Sequence, residues 1–409
     1  MTAAERFASA RSVRRALVMK GDRLAGFLER DPDAPDEIDF RYDPDYVAAG
    51  GRRVATTLPV GDVPFRARGG AVPAFFAGLL PEGRRLEALV AAVKTSPDDE
   101  LSLLVSVGGD CVGDVRVLPA EGRFAEPVVE LRDPSHVCFH ELFERSVDPE
   151  GVTGRHALPG VQEKVSAAML SLPVKTAGAQ AMLKLTPPRL PRLVENEAHM
   201  LRLAAACGLA VPKTHVLTDR DGHTGLLVSR FDRRTGPGGV ERIAQEDAVQ
   251  LAGRWPASKY LLSTREVFDA VFAVTPAKQA AALTLLRLFV FSYAIGNGDL
   301  HGKNVSVHAP DGDLWQLTPA YDLVSTVPYG DERMALKLDG RDDRIPGSTF
   351  VAFGERVGVP SRATRRLLHE VVDRLGPLVD TVEHIGLDDR RTSLLVRTVH
   401  RRLADLTRV

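Results

Sequence analysis

The most apolar run of the chain, Ala280–Gly296, carries one charge, Arg287, and ends abruptly at a polar, glycine-rich string. At 17 residues it falls short of the roughly 20 that a membrane-spanning helix needs. A buried helix is therefore expected, and the fold must be large enough to surround it. The string that follows is Ile295-Gly-Asn-Gly-Asp299-Leu-His301-Gly-Lys303-Asn304, with strand-like Val305–His308 behind it. A polar loop held between a buried helix and a strand is a rigid platform for chemistry.

The length supports such a core. For 409 residues, about 150 per domain gives two to three domains. Hydrophobic residues at 44% and charged residues at 26% are ordinary for a globular chain. A formal charge of −1 argues against nucleic-acid or membrane binding by bulk charge. Cys111, Cys138 and Cys207 lie far apart without a CxxC pair, so neither a disulfide framework nor a zinc site is expected, and a reducing cytoplasm suits them. The N-terminus MTAAERFASA lacks an apolar signal-peptide region. Only ten of the 53 basic residues are Lys. A chain that uses Arg so freely makes each Lys inside a motif informative, because the two cations differ chemically.

Periodicity organises the rest. Residues 12–70 read as strands and turns, with a hairpin of Ala16–Met19 and Leu24–Leu28 around Gly21-Asp22. Pro73–Val93 is predicted helical, Asp98–Val107 is a short helix, and Gly113–Leu118 a strand. Gly108–Gly113 reads as a turn. A boundary falls in the Pro-containing stretch 119–134. Beyond it, Val165–Leu172 and Ala181–Leu185 are strand-like, and Leu193–Cys207 is a helix stopped by Gly208. Thr214–Thr218 and Gly225–Ser229 form a second hairpin. Helices are predicted at Gln245–Gly253, Thr264–Val274, Ala277–Ile295, and roughly 361–373, 375–385 and 388–406. A β-rich interruption runs from Asn297 to Leu338.

The string at Asp299 carries the chemistry. Phosphoryl transfer asks little of a protein: one carboxylate to accept the hydroxyl proton, and Asn plus a second Asp to hold Mg²⁺ on nucleotide phosphates. Asp299, Asn304 five residues on, and Asp322 in Pro319-Ala-Tyr321-Asp322-Leu supply that set. The same residue types make turns, and Asp322 also suits a helix cap. The full string with Tyr-Asp-Leu behind it is far more specific than the spacing alone. Upstream, Lys184 lies inside the apolar strand Ala181-Met-Leu-Lys-Leu185, where an ammonium is costly unless paired or liganded. Glu195-Asn-Glu197 opens the next helix, and Glu197 is a candidate partner. The competing readings are a Lys reaching out from a sheet edge and a Glu that merely favours a helix N-terminus. Gly160-Val-Gln162-Glu163-Lys164 suits either a loop closing over phosphates or a plain turn. No Walker A motif occurs.

With these residues assembled, the chain resembles the HipA family of bacterial toxin Ser/Thr kinases. Leu79-Leu-Pro-Glu-Gly83 and Val107-Gly-Gly-Asp-Cys-Val-Gly-Asp114 are similar to its N-terminal signatures. Leu158–Lys164 is similar to its nucleotide loop, Asn196-Glu197, Gly208–Pro212 and Ser229–Arg233 to its small lobe, and Gln245–Asp247 with Lys259-Tyr260 to the start of its large lobe. The Gly296–Asn304 and Pro319–Leu323 strings follow in family order.

The resemblance implies roles. Asp299 is the catalytic base, and Asn304 and Asp322 bind Mg²⁺. Lys184 contacts the ATP phosphates, and Gln162, Glu163 and Lys164 belong to the loop above them. Ser229, Arg230 and Phe231 form the adenine hinge. His301, Lys303 and Tyr321 lie beside the nucleotide. It also implies a HipB-like, DNA-binding antitoxin as partner, with DNA reached only through it, and a protein substrate such as an aminoacyl-tRNA synthetase. One departure stands out. The family often carries, three residues before the glycine equivalent to Gly160, a Ser whose autophosphorylation silences the kinase; here that position is Ala157.

The expected fold is α+β: a bilobal, protein-kinase-like fold with an N-terminal β-rich subdomain and an all-helical C-terminal lobe. The expected units are 1–125, 126–235 (small lobe) and 236–409 (mainly helical large lobe). The expected activity is ATP- and Mg²⁺-dependent protein Ser/Thr phosphorylation in the cytoplasm, with no membrane partner. Two alternatives stay open at this point: a small-molecule phosphotransferase of the aminoglycoside-kinase type, and a catalytically dead partner of a DNA-binding repressor.

Overall fold

Strand alternation opens the structure. In the computed structural model, which describes residues 13–121, 129–131, 133–147, 169–176, 180–187, 189–236 and 238–409, the first sheet begins with the expected hairpin. Strands β1 (Arg15–Lys20) and β2 (Arg23–Arg30) pair antiparallel with Arg15 opposite Glu29 and Leu17 opposite Phe27. With β3 (Ile38–Tyr42), β4 (Phe65–Ala67) and β5 (Val115–Pro119) they form an antiparallel sheet in the order β4-β3-β2-β1-β5. Gly26 is obligatory there, since a Cβ would lie 2.2 Å from the Arg41 carbonyl oxygen. Val18, Leu28 and Phe40 pack with Phe76, Leu101 and Leu104 into one apolar core. The run Pro73–Val93 is not one helix. It forms Ala74–Ala77 and Gly83–Val93, separated by the turn that contains Pro81, which cannot donate in a helix interior.

The second sheet has the order β6-β7-β8-β10-β9. Its strands are β6 (Val129–Glu130), β7 (Leu170–Lys175), β8 (Gln180–Leu185), β9 (Thr214–Thr218) and β10 (Thr224–Ser229). The strand expected at Val165–Leu172 thus begins at Leu170, and residues 165–168 lie outside the described segments. Ala157 and the Gly160–Lys164 loop lie outside them as well. The helix Leu193–Ala206 packs against this sheet and ends at Gly208, whose φ of +83° is the left-handed turn that favours glycine.

The large lobe forms around the helix Lys278–Ile295. Leu285, Phe289 and Tyr293 on it are fully buried. Thr264–Val274, Gly347–Arg356, Ser361–Leu375 and Asp389–Leu406 pack around it. By length and composition this helix would also pass as a membrane span, but most of it is buried inside the protein.

Several expectations change here. Gln245–Gly253 is not a helix throughout: after a ribbon of β11 (Arg233–Gly236) and β12 (Gly239–Arg242), β13 (Ala244–Asp247) precedes a single turn, Ala248–Leu251. Residues 244–247 pair with β14 (Ser306–Ala309), and Asp247 then caps the helix with Gln250, so tertiary pairing overrides local periodicity. The lobe expected to be all-helical therefore carries a three-stranded sheet, β13-β14-β15, completed by β15 (Gln316–Leu317). The stretch Asn297–Leu338 is mostly irregular, with only β14 and β15 as strands. The helix Gly347–Arg356 went unread because Gly347 and Gly354 are weak helix formers. Gly354 is needed for packing, since a Cβ there would lie 2.4 Å from Thr364 Oγ1. Residues Gly376–Ile385, expected as helix, form a 3₁₀ segment.

Candidate active site

Lys184 lies on β8 between Leu183 and Leu185, both buried in the sheet. The residue is only 7% exposed, so its side chain does not reach out from an edge. Glu197, on the first turns of the helix Leu193–Ala206, accepts from its Nζ at 2.6 Å. Asp322 accepts from the same Nζ through Oδ1. Burial would push the lysine pKa down, but the carboxylates of Asp322 and Glu197 outweigh it and hold the ammonium charged. Burial also lifts Glu197 above the ordinary carboxylate range against the pull of Lys184. Both competing readings of Lys184 and Glu197 fall away: the pair is buried and mutual.

Asp322 is not a helix cap. It sits in an irregular segment with φ +54°, a left-handed conformation that costs a non-glycine residue about 1 kcal/mol. The geometry presents one carboxylate oxygen to Lys184 and the other to Asn304, whose Nδ2 donates to Oδ2 at 3.2 Å. Asn304 ends the 3₁₀ turn Gly302–Asn304, and its Oδ1 accepts from the backbone N–H of His301 at 3.2 Å. The helix Lys278–Ile295 stops at Gly296 with φ +76°, which throws the Asn297–Asn304 string into a turn. Gly298 has no room for a side chain, since a Cβ would meet Thr326 Oγ1 at 2.6 Å and the Arg333 carbonyl at 2.7 Å. Asp299 is 3% exposed, and the Tyr260 hydroxyl donates to its Oδ1 at 2.7 Å.

Most of these side chains line a cavity of about 350 Å³ between the two lobes and the N-terminal subdomain. Lys184, Glu197, Arg230, His301, Lys303, Asn304, Tyr321 and Asp322 all line it. Asp299 lies outside the lining and is joined to it through Tyr260, whose neighbour Lys259 forms part of the wall. Tyr321 is locked beneath the loop: Ser306 Oγ donates to its hydroxyl, which donates to the Lys303 carbonyl at 2.7 Å.

The Ser229–Phe231 segment lies between the lobes. The backbone N–H groups of Ser229 and Arg230 donate to the carbonyls of Lys213 and Gln180. Arg230 lines the cavity, whereas Ser229 and Phe231 do not; the Phe231 ring instead packs 5.7 Å from that of Tyr321. The stretch Gly108–Gly113 is a turn, as expected, and it also docks here. Asp110 pairs with Arg230 at 3.0 Å and Arg233 at 2.9 Å, and Asp232 accepts from the Gly113 N–H at 2.9 Å. Burial opposes ionisation of Asp110, yet the arginines hold its pKa below the usual value.

Gln162, Glu163 and Lys164 lie outside the described residues. The sequence reading also missed three groups at the cavity. Glu82 pairs with Lys259 at 2.6 Å and Lys303 at 3.1 Å, Tyr260 bonds Asp299, and the buried Asp247 lines the wall. The motif Leu79–Gly83 and the pair Lys259-Tyr260 were visible, but nothing local links them to a loop at 299–304.

His301 is 4% exposed, and burial lowers its pKa to about 4. His199, equally buried on the helix Leu193–Ala206, is lowered to about 4 for the same reason. In the unfolded chain both titrate near 6.5. Between those values the unfolded state binds protons that the folded state refuses. Their stabilisation is therefore complete above about pH 6.5 and is lost as pH falls through about 4, on the order of 3 kcal/mol for each. Thermal midpoints measured from pH 7.5 to 4 should fall accordingly. His199→Gln should flatten that slope without touching the cavity; an unchanged slope would refute the assignment.

A small lobe with a buried Lys–Glu pair faces a mainly helical lobe with a hydrogen-bonded Asp–Asn pair, and this is the α+β arrangement of a kinase-like fold. The chain belongs to the HipA family. Residues 16–118 match the HipA N-terminal domain and residues 156–377 the HipA-like C-terminal domain. Y4mE of Sinorhizobium fredii is 32% identical over 355 residues, 80% of this chain and 82% of that protein. The serine/threonine-protein kinase toxin HipA of Shewanella oneidensis is 27% identical over 421 residues, covering 92% of this chain and 93% of its own. The solved complex of HipA, HipB and operator DNA from Shewanella oneidensis MR-1 contains a chain that superposes with a TM-score of 0.73 at 24% identity. That match covers 96% of this chain and 97% of the other.

Proposed function

We propose that this protein is an ATP- and Mg²⁺-dependent serine/threonine protein kinase that transfers the γ-phosphate to a protein hydroxyl. The observation that carries the reading is the single cluster formed by Lys184, Glu197, Asp322 and Asn304 on the wall of one interlobe cavity. Asp322 and Asn304 meet at 3.2 Å and offer the hard oxygen donors Mg²⁺ takes, so these residues fit the metal. Mg²⁺, when bound, neutralises and orients the phosphates. Lys184 contacts those phosphates, Gln162 to Lys164 cover them, and Ser229 to Phe231 border the adenine. His301, Lys303 and Tyr321 flank the nucleotide. Asp299 accepts the proton of the attacking hydroxyl, and Tyr260 fixes the carboxylate that receives it.

The units 1–125, 126–235 and 236–409 serve as an N-terminal subdomain, a small lobe and a large lobe. The family supports a cytoplasmic setting, a HipB-like DNA-binding antitoxin as the neutralising partner, and a substrate in translation such as an aminoacyl-tRNA synthetase. The test is incubation with γ-labelled ATP and Mg²⁺, first alone and then with a lysate of the host. Label on a protein Ser or Thr is the expected result. Label only on small molecules, or no ATP turnover, overturns the reading.

Ala157 bears on control. A phosphoserine there would add about −1.5 to −2 charges to the nucleotide loop, and alanine has no hydroxyl to carry them. The protein should therefore not silence itself at this position, leaving control to its partner. Mass spectrometry after incubation with Mg-ATP checks this. Stoichiometric phosphate between Gly151 and Lys164 that tracks loss of activity would contradict it; Thr153 is the nearest upstream hydroxyl.

A further inference from the structure

Glu82 occupies an unusual position. It is the N-cap residue of the helix Gly83–Val93, a position where the short side chains of Asp, Asn, Ser or Thr ordinarily accept from the free N–H groups of the first turn. It makes no such bond. Its carboxylate instead enters the cavity and takes two ammonium groups of the large lobe, Lys259 Nζ at 2.6 Å and Lys303 Nζ at 3.1 Å. Lys303 also donates to the carbonyl of Gly78, on the same turn, at 3.1 Å. That turn is fixed in its own right: Gln250 donates to the Phe75 carbonyl at 2.9 Å, and a Cβ on Gly78 would lie 2.7 Å from Gln250. The N-terminal subdomain thus places an anion on Lys303, the residue before Asn304 in the string.

We propose that Glu82 is a positioning residue for phosphoryl transfer: it holds Lys259 and Lys303 at fixed points on the cavity wall and weakens nucleotide binding in doing so. The inference rests on the kinase reading above. Lysine side chains are long and flexible, and a transferring phosphoryl group gains most from charges fixed before it arrives. One carboxylate between two ammonium groups fixes both and leaves a net charge of +1. Burial opposes ionisation of Glu82, but Lys303 and Lys259 outweigh it and hold its pKa at about 2, so the anion persists at any working pH. That same anion repels an incoming polyphosphate. Affinity and turnover should therefore respond to it with opposite signs, which a merely structural residue would not produce.

The experiment uses the full chain and three forms: parent, Glu82→Gln and Glu82→Asp. Calorimetry with Mg-AMPPNP measures affinity, and γ-labelled ATP measures transfer at saturation. Removing the charge should tighten AMPPNP binding by roughly threefold to tenfold, within the range of a screened unit charge. Loss of lysine alignment should slow transfer by roughly 10- to 100-fold, the scale of an ångström-size misplacement. Glu82→Asp keeps the charge, so its affinity should match the parent and its rate should lie between. Thermal midpoints of all three show whether each variant is folded. Parallel weakening of affinity and rate in Glu82→Gln, or no change in either, overturns the proposal; if Glu82→Gln fails to fold, Glu82→Asp with altered affinity and a parent-like rate also overturns it. A parent that binds AMPPNP but transfers nothing overturns the kinase reading instead, and the affinity shift still decides the role of Glu82.

Discussion

Replacing Asp299 with Asn should lower phosphotransfer by about 10²–10⁴-fold, the usual scale for loss of a general base. The substitution is close to isosteric. An amide oxygen can still accept from the Tyr260 hydroxyl that now bonds Asp299 at 2.7 Å, and the backbone N–H still reaches Asn297 Oδ1 at 2.9 Å. The fold and its melting point should hardly move. Nucleotide binding should survive too, because Lys184, Asn304 and Asp322 are untouched. The loss should therefore sit in kcat, with KM for ATP nearly constant. Full activity in this variant would remove Asp299 from the mechanism. A collapse of both binding and thermal stability would make it a structural residue. A pure kcat effect is the signature of a group that acts only in the transfer step.

What was legible in the sequence follows the reach of its signals. Asp299 and Asn304 sit within one local string and Asp322 in a second one shortly after it, and the scarcity of Lys makes Lys184 and Lys303 stand out. The hairpin at Gly21-Asp22 and the helix Lys278–Ile295 are local patterns, and both occur within a few residues of where periodicity put them. What could not be read are partnerships across long sequence distances. Glu82 meets Lys259 177 residues later, and Asp110 meets Arg230 120 residues later. Thr56 donates to the buried Glu246 carboxylate across 190 residues, at 2.8 Å from its N–H and 2.6 Å from its hydroxyl. Each residue alone looks like an ordinary surface charge or turn former. Burial gives them meaning, and burial belongs to the assembled fold. Residues 244–247 failed for the opposite reason: local periodicity was present but lost to pairing with β14.

Replacing Asp322 with Ala should abolish the Mg²⁺-dependent gain in ATP affinity and reduce transfer by roughly 10³-fold or more, the several kcal/mol that metal charge stabilisation supplies. The carboxylate is the only anionic member of the proposed metal pair, and Asn304 alone offers a neutral oxygen. The variant has a second effect that must be separated from the first. Asp322 also neutralises Lys184, which keeps Glu197 as its remaining partner at 2.6 Å. Because the Asp322 side chain is about one-third exposed, that loss is screened and should cost far less than breaking the buried Lys184–Glu197 pair. Alanine must also adopt φ +54°, a conformation that Asn tolerates better. Asp322→Asn is thus the control: it relieves the backbone penalty while still removing the charge. If the metal role is right, both variants lose the Mg²⁺ dependence in a calorimetric ATP titration, and only the Ala variant melts appreciably lower. An Asn variant that retains the parent's Mg²⁺ dependence would show that the metal is held elsewhere.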